Sequence, residues 1–330
     1  MLPSLAQLTS RLEKATKAAE ASRREMERQK ALIALRNALL ERIGIAAAEG
    51  YAKLADRRHR LLLDPSLLRP ISDPPNMRVP IRRHSMRALR SLILENIRSQ
   101  AASCIFIFGK PGTGKTLCVR AALSELTRFL RRKGLMAHVA YVNAGQTRSP
   151  YYTMLEILRQ MGVDAPPSGW QFSRLKYEFE RAKDAKPTII AVDEVDTLLY
   201  KEREPLIYYL NRQPHISLIL ISNQFSDLTN LPPRAKSSLQ PIPIIFYPYS
   251  AKDAYLILKE RVKHAFRPGT VEEEALHAAA QAVDEIGDIR FGFNLLLLAG
   301  LAAEASDKRT IRTQDLEPFT SSLKEVFAGG

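Results

Sequence analysis

Short unbroken apolar runs at Cys104–Phe108, Ala137–Val142, Thr188–Val192, Leu218–Ile221 and Ile242–Phe246 alternate with stretches whose apolar residues recur every three or four positions. Such compact runs, rich in β-branched and aromatic side chains, predict strands buried on both faces of a parallel sheet. The amphipathic stretches between them predict covering helices, hence an α/β doubly wound core with five strands. After Tyr249 and Ser250 the strand pattern stops, and residues 251–265, 272–285 and 291–306 predict three helices of a small all-helical domain. Ahead of the core, residues 1 to about 60 show a weaker three-or-four spacing through Leu5, Leu8, Leu12, Met26, Ile33 and Leu40, with Arg, Lys and Glu between. This predicts a helical extension, too poor in large apolar residues for a coiled coil. The five prolines between Asp64 and Pro80 predict an extended linker, leading into a helix through Met86, Leu89, Leu92 and Ile97. Three domains follow: 1–62, 63–248 and 249–330.

Chemistry concentrates where the first strand ends. Gly109-Lys110-Pro111-Gly112-Thr113-Gly114-Lys115-Thr116 fits the G-x-x-x-x-G-K-[ST] phosphate loop, with a strand before it and a helix opening near Lys115. Gly112 and Gly114 let main-chain N–H groups turn inward around phosphate oxygens without interference from a Cβ. Lys115 can reach β- and γ-phosphates, Thr116 can ligate Mg²⁺, and the helix N-terminus adds partial positive charge. The run Ile189-Ile190-Ala191-Val192-Asp193-Glu194 ends a strand in two acids about eighty residues later. That spacing suits Asp193 as the metal's carboxylate and Glu194 as the group that orients and deprotonates water. Asp196 reads as an N-cap or a solvated acid. The run from Leu218 ends in Ser222-Asn223, which makes Asn223 a candidate contact for the γ-phosphate or the attacking water; a turn-forming asparagine is the alternative. Arg290 opens the last predicted helix and is either a surface cation or a contact to the γ-phosphate. Arg234 and Lys236 lie between two core elements, suited to a neighbouring subunit's site or to a phosphate backbone.

Composition narrows the partners. With 49 Lys and Arg against 35 Asp and Glu the chain carries +14, and residues 1–100 alone hold 20 basic against 10 acidic residues. So concentrated an excess points to nucleic acid, with an arginine-rich solvated surface as the alternative. Arg23, Arg24, Arg28, Arg57, Arg58 and Arg60 are positioned for such contact if the N-terminal helix lies along DNA; a helix packed on its own domain fits the pattern equally well. Cys104 and Cys118 flank the phosphate loop and make neither a disulfide framework nor a zinc site, so buried free thiols are expected. No apolar run approaches the ~20 residues of a membrane span, and the N-terminus lacks a signal-peptide layout. An intracellular, cytoplasmic and nucleoid-associated setting without membrane contact is the expectation.

Together these residues resemble an AAA+ ATPase, and more narrowly the archaeal replication-initiator family related to the largest origin-recognition-complex subunit and the cell-division-cycle helicase loader. The resemblance spans roughly residues 70–320. It rests on Gly109–Thr116 (Walker A), Val192–Asp196 (Walker B), Ile221–Asn223 (sensor 1), Pro233–Leu239 and Gly287–Arg290 (sensor 2). It implies an AAA+ core with a helical lid, ATP or ADP with Mg²⁺ as cofactors, and slow hydrolysis used as a switch. The implied nucleotide-binding set is Ile81, Arg82, the loop from Gly109 through Leu117, Tyr249 and Arg290. Thr116 and Asp193 serve the metal; Glu194, Asn223 and a finger at Arg234 serve catalysis. Implied partners are duplex DNA, a replicative helicase or initiator paralogues, and a second copy reached through Arg234. The segment from Thr147 through Gln171 resembles the family's initiator-specific insertion, with Trp170, Gln171 and Arg174 as candidate DNA contacts; a core tryptophan is the alternative.

Two departures bear on function. Family members normally continue into a C-terminal winged helix, the main DNA reader, whereas this sequence stops at Gly330 after the lid. The long basic N-terminal extension is also unlike the family pattern. The reading is therefore an ATP-binding initiator-like protein acting at origins or in helicase loading. The rivals are an AAA+ adaptor working through protein partners in transposition or plasmid maintenance, and a regulatory ATPase that inhibits full-length initiators.

Overall fold

The computed structural model describes residues 60–69, 81–99, 102–184, 186–199, 205–229, 237 and 239–328. The N-terminal stretch to residue 59 with Arg23, Arg24, Arg28, Arg57 and Arg58, the proline-rich residues 70–80, and Arg234 and Lys236 lie outside them. The described residues divide into two compact units: those from 81 to 248, and those from 249 to 328 together with residues 60–69.

The first unit is the expected α/β core. Its strands are β1 (Ser103–Phe108), β2 (His138–Asn143), β3 (Thr188–Asp193), β4 (Ile216–Ser222) and β5 (Ile242–Ile245). They form one sheet in the order β2-β3-β4-β1-β5, and every pairing is parallel. β3 and β4 are buried at every position, as a strand covered on both faces must be. Alternation divides the core. Phe106, Ile190 and Leu218 pack beneath α4 (Pro150–Gln160), α5 (Phe172–Lys183) and α7 (Pro205–Asn211). Ile105, Ile107, Ile189 and Ile219 pack on the other face beneath α1 (Arg83–Ser99) and α2 (Lys115–Arg132). Short helical turns α3 (Ala144–Thr147), α6 (Asp196–Leu199) and α8 (Ser226–Thr229) follow β2, β3 and β4 respectively. The free edge of β2 is covered by one side chain: Gln160 donates to the Tyr141 carbonyl and accepts from the Tyr141 N–H, both at 2.8 Å. Cys104 and Cys118 are buried free thiols, and burial pushes both up to about 12.

The second unit contains α9 (Ala251–Ala265), α10 (Glu273–Ile286), α11 (Ile289–Ala305) and α12 (Thr313–Ala328). Ser250 caps α9 through the Asp253 N–H at 3.2 Å, and Gly287 ends α10 in the left-handed region at φ 80°. The fourth helix was not among the three expected. It carries Pro318 in its interior, and its polar sequence hides the apolar pair Leu316 and Leu323, which are 2% and 4% exposed.

The proposed linker also differs. Residues 61–69 pack on the helical unit instead of opening the core at residue 63. Asp64 caps a 3-10 turn over Pro65–Leu68, and Leu61, Leu62 and Leu68 are buried. Leu62 bridges Phe266, the Leu61 and Leu62 N–H groups both donate to the Glu304 carboxylate at 2.8 Å, and Arg261 donates to the Leu67 carbonyl at 2.7 Å. Three leucines at this spacing supply enough apolar surface to outweigh the extended bias of the prolines. Among the described residues no helix is long and apolar enough to cross a membrane.

Candidate functional site

Parallel strands end together, so the loops after β1, β3 and β4 meet at one edge of the sheet, the edge where α/β folds bind ligands. The phosphate loop follows β1. Gly112 and Gly114 take φ values of 73° and 83°, and Gly114 is the residue from which α2 begins. Lys115 is buried, and its ammonium has an acceptor for each of its three protons: the Gly109 carbonyl at 2.6 Å, the Lys110 carbonyl at 3.0 Å and the Asn223 Oδ1 at 3.0 Å. The phosphate loop and the tip of β4 are thus joined by one cation. Arg82 braces the loop from outside, donating to the Thr113 carbonyl at 3.2 Å and to the Tyr247 carbonyl, with its guanidinium over the Phe246 ring.

At the tip of β3, Asp193 is 3% exposed and accepts from three groups. The Thr116 hydroxyl donates to its Oδ2 at 2.6 Å, the Tyr141 hydroxyl to the same oxygen at 2.7 Å, and the Glu194 N–H to Oδ1 at 2.8 Å. Burial, and then the neighbouring Asp193 carboxylate, pushes the Tyr141 hydroxyl above its usual range, so it stays a proton donor. Glu194 sits at φ 51°, a left-handed conformation that a non-glycine residue rarely adopts, and its side chain is exposed. The Asn143 Nδ2 donates to the Glu194 Oε1 at 3.3 Å. Asn143 is oriented by its own cap, since its Oδ1 accepts from the Gln146 N–H at 3.1 Å, which leaves the amide nitrogen for Glu194. Gly145 makes room: a Cβ there would stand 1.9 Å from the Glu194 Oε2.

Tyr141 and Asn143 were missed in the sequence. The available signal was the polar end of an apolar strand and its two-residue spacing. What aims them is register, because Tyr141 pairs with Ala191 and Asn143 with Asp193. Asp196 departs from its expected role. It is half-buried, and burial and then the Asp227 carboxylate push it up to about 6. Asp227 itself is buried and accepts from the Ser222 hydroxyl. Ile81 and Leu117, next to Arg82 and Thr116 in the chain, are half-buried.

In the helical unit, Asp288 caps α11 by accepting from the Arg290 N–H at 2.9 Å, and the Arg290 guanidinium folds back onto the same carboxylate. Tyr249 is buried in that unit. Just before α5, the insertion-like segment presents Trp170 half-buried against the core, and Arg174 of α5 lies over its ring at 5.5 Å and over the Tyr177 ring at 5.6 Å. The core reading of Trp170 describes its packed part. Gln171, at the N-terminal boundary of α5, is exposed.

Residues 80–230 match the model of the AAA domain, and residues 255–318 match that of the Cdc6 AAA+ ATPase-type lid domain. The chain thus carries an AAA domain followed by a Cdc6-type lid domain, and it is similar to ORC1-type DNA replication proteins. It is 33% identical over 247 residues to ORC1-type DNA replication protein 1 of Sulfolobus acidocaldarius, covering 72% of this chain and 62% of the relative. The corresponding Methanosarcina acetivorans protein is 32% identical over 69% of this chain and 57% of its own length. The chain thus spans about three fifths of the length of these curated relatives. Among solved structures, that of the Aeropyrum pernix ORC1 protein in complex with DNA superposes with a TM-score of 0.69 at 27% identity, over 80% of this chain and 70% of that one. In this chain Gly109–Thr116 directly follow β1, Asp193 ends β3 with Glu194 next to it, and Asn223 directly follows β4.

Proposed function

We propose that this protein is an ATP-binding, slowly hydrolysing replication initiator whose nucleotide state governs its hold on duplex DNA, in origin recognition or in loading a replicative helicase. The observation that carries the reading is the Lys115 ammonium, held by two phosphate-loop carbonyls and Asn223. ATP brings phosphate oxygens that compete for those protons, so binding frees or redirects Asn223, and loss of the γ-phosphate reverses the exchange. The Thr116 hydroxyl and Asp193 carboxylate, hard oxygens in direct contact, fit Mg²⁺, which takes few protein ligands and completes its shell with water and phosphate. When bound, that ion neutralises charge across the β- and γ-phosphates. Glu194 accepts the proton of the attacking water, and Asn143 holds its carboxylate between turnovers. Ile81, Arg82, Leu117 and Tyr249 complete the nucleotide contacts. Arg290 senses the γ-phosphate, and Arg234 serves a neighbouring copy's site.

Support for the DNA part comes from the +14 charge, the Trp170–Arg174–Tyr177 surface and the DNA complex of the Aeropyrum relative. The test is fluorescence anisotropy of a labelled duplex across a salt series, with ATP, ADP or no nucleotide. Binding with a steep salt slope that differs between ATP and ADP is expected. Equal binding in all three states would contradict the switch. Absence of duplex binding would move the reading to an adaptor acting through protein partners.

A further inference from the structure

The two helical layers of the nucleotide unit differ in charge. On α1, Arg83, Arg87, Arg90 and Arg98 are all exposed. At 3.6 residues per turn they fall within about 80° of the helix circumference and extend about 22 Å along it. On the adjoining α2, Arg120, Arg128, Arg131 and Arg132 are exposed, and Lys133 follows at its end. The two helices carry only Glu95 and Glu125 as acids. Among the described residues Arg98 is the one α1 arginine with a carboxylate in range, Glu95 at 3.5 Å. Arg128 and Arg132 direct Nε to main-chain carbonyls one turn back. Across the sheet the arrangement is different: Arg174 and Arg181 both reach the buried Glu178, at 2.7 and 3.4 Å.

We propose that the α1/α2 face is a second duplex-binding surface, one that grips the phosphate backbone apart from the Trp170–Arg174 segment. This rests on the duplex-binding reading above. Three observations select that occupant. Neither helix exposes a large apolar side chain, whereas a protein partner needs apolar anchors. A second copy, at +14, and the N-terminal 59 residues, with 12 basic against 7 acidic residues, have the wrong sign to cover the face. The cations are almost all arginine, whose planar fork matches phosphate, and they are spread along two neighbouring helices as a backbone requires.

The test compares the full chain with R87E/R98E/R128E/R131E, using a labelled duplex of arbitrary sequence across a salt series. Nucleotide affinity and thermal midpoint verify the fold of the variant, and the milder R87Q/R131Q pair serves if the fourfold change disturbs it. The fourfold variant should bind the duplex at least ~10-fold more weakly, with the salt slope lowered by about 3 to 4; the pair should lower it by about 2. An R174A variant, which removes one cation of the other surface, should lower the slope by only about 1. Wild-type binding with an unchanged slope in the folded variant overturns the second surface and leaves the duplex reading intact. Failure of the wild type to bind any duplex overturns that reading first, and this proposal with it. Duplex binding retained by the variant, with binding to phosphatidylserine vesicles lost, assigns the face to lipid and also overturns the proposal.

Discussion

The strand tips of the nucleotide unit and the helical unit are built by opposite means. At the tips, side chains from different elements hold one another: Lys115 with Asn223, Thr116 and Tyr141 with Asp193, Asn143 with Glu194. In the helical unit, polar groups cap helix ends, as Ser250 and Asp288 do, or tie residues 61–67 to the helices, as Glu304 and Arg261 do, and cohesion comes from buried residues such as Leu62, Phe266, Phe291 and Leu296. Substitutions should therefore alter chemistry at the tips and stability in the helices.

The largest separation is expected from two single substitutions. Lys115→Ala should weaken ATP binding by at least ~100-fold, about 2.7 kcal/mol, because charge-assisted contacts to phosphate are lost. Calorimetric titration measures it, and an unchanged affinity would break the comparison from the nucleotide side. Leu62→Ala should cost the helical unit about 2–4 kcal/mol while leaving ATP affinity as it was. Thermal unfolding with and without nucleotide reads both quantities together. A smaller effect belongs to Tyr141→Phe, which deletes one donor to Asp193 and should change Mg²⁺-dependent turnover by about 1 kcal/mol.

The subtlest effect is in pH. The folded-state pKa of Asp196 lies above its ordinary value, so the folded chain holds a proton that the unfolded chain releases. Its contribution to stability is complete below about pH 4 and is lost as pH rises through about 6. Asp196→Asn should flatten that part of the stability profile in chemical denaturation, and an unchanged profile would remove the buried-acid assignment.

Much of the fold was legible because the core strands are compact apolar runs with polar ends. All five begin and end within two residues of the expected bounds, and β5 loses only Phe246. The phosphate loop, Asp193 and Glu194 were legible from spacing. Tyr141 and Asn143 were not, since only the pairing of β2 with β3 aims a tyrosine at Asp193 and an asparagine at Glu194. The Asp196–Asp227 pair was equally hidden, because the two acids follow different strands. Residues 61–69 were misread because prolines marked a linker while Leu61, Leu62 and Leu68 supplied the burial. Helix α12 was missed because Pro318 interrupts it and its apolar residues are sparse.

On the function proposed above, Glu194, turned outward by a left-handed backbone beside Asp193 and Thr116, is the base for ATP hydrolysis. The direct measurement is ATP affinity and single-turnover hydrolysis, with Mg²⁺, for the wild type and Glu194→Gln. Wild-type affinity is expected in the variant, with hydrolysis slowed by about 10²–10⁴-fold. Hydrolysis at the wild-type rate would contradict it.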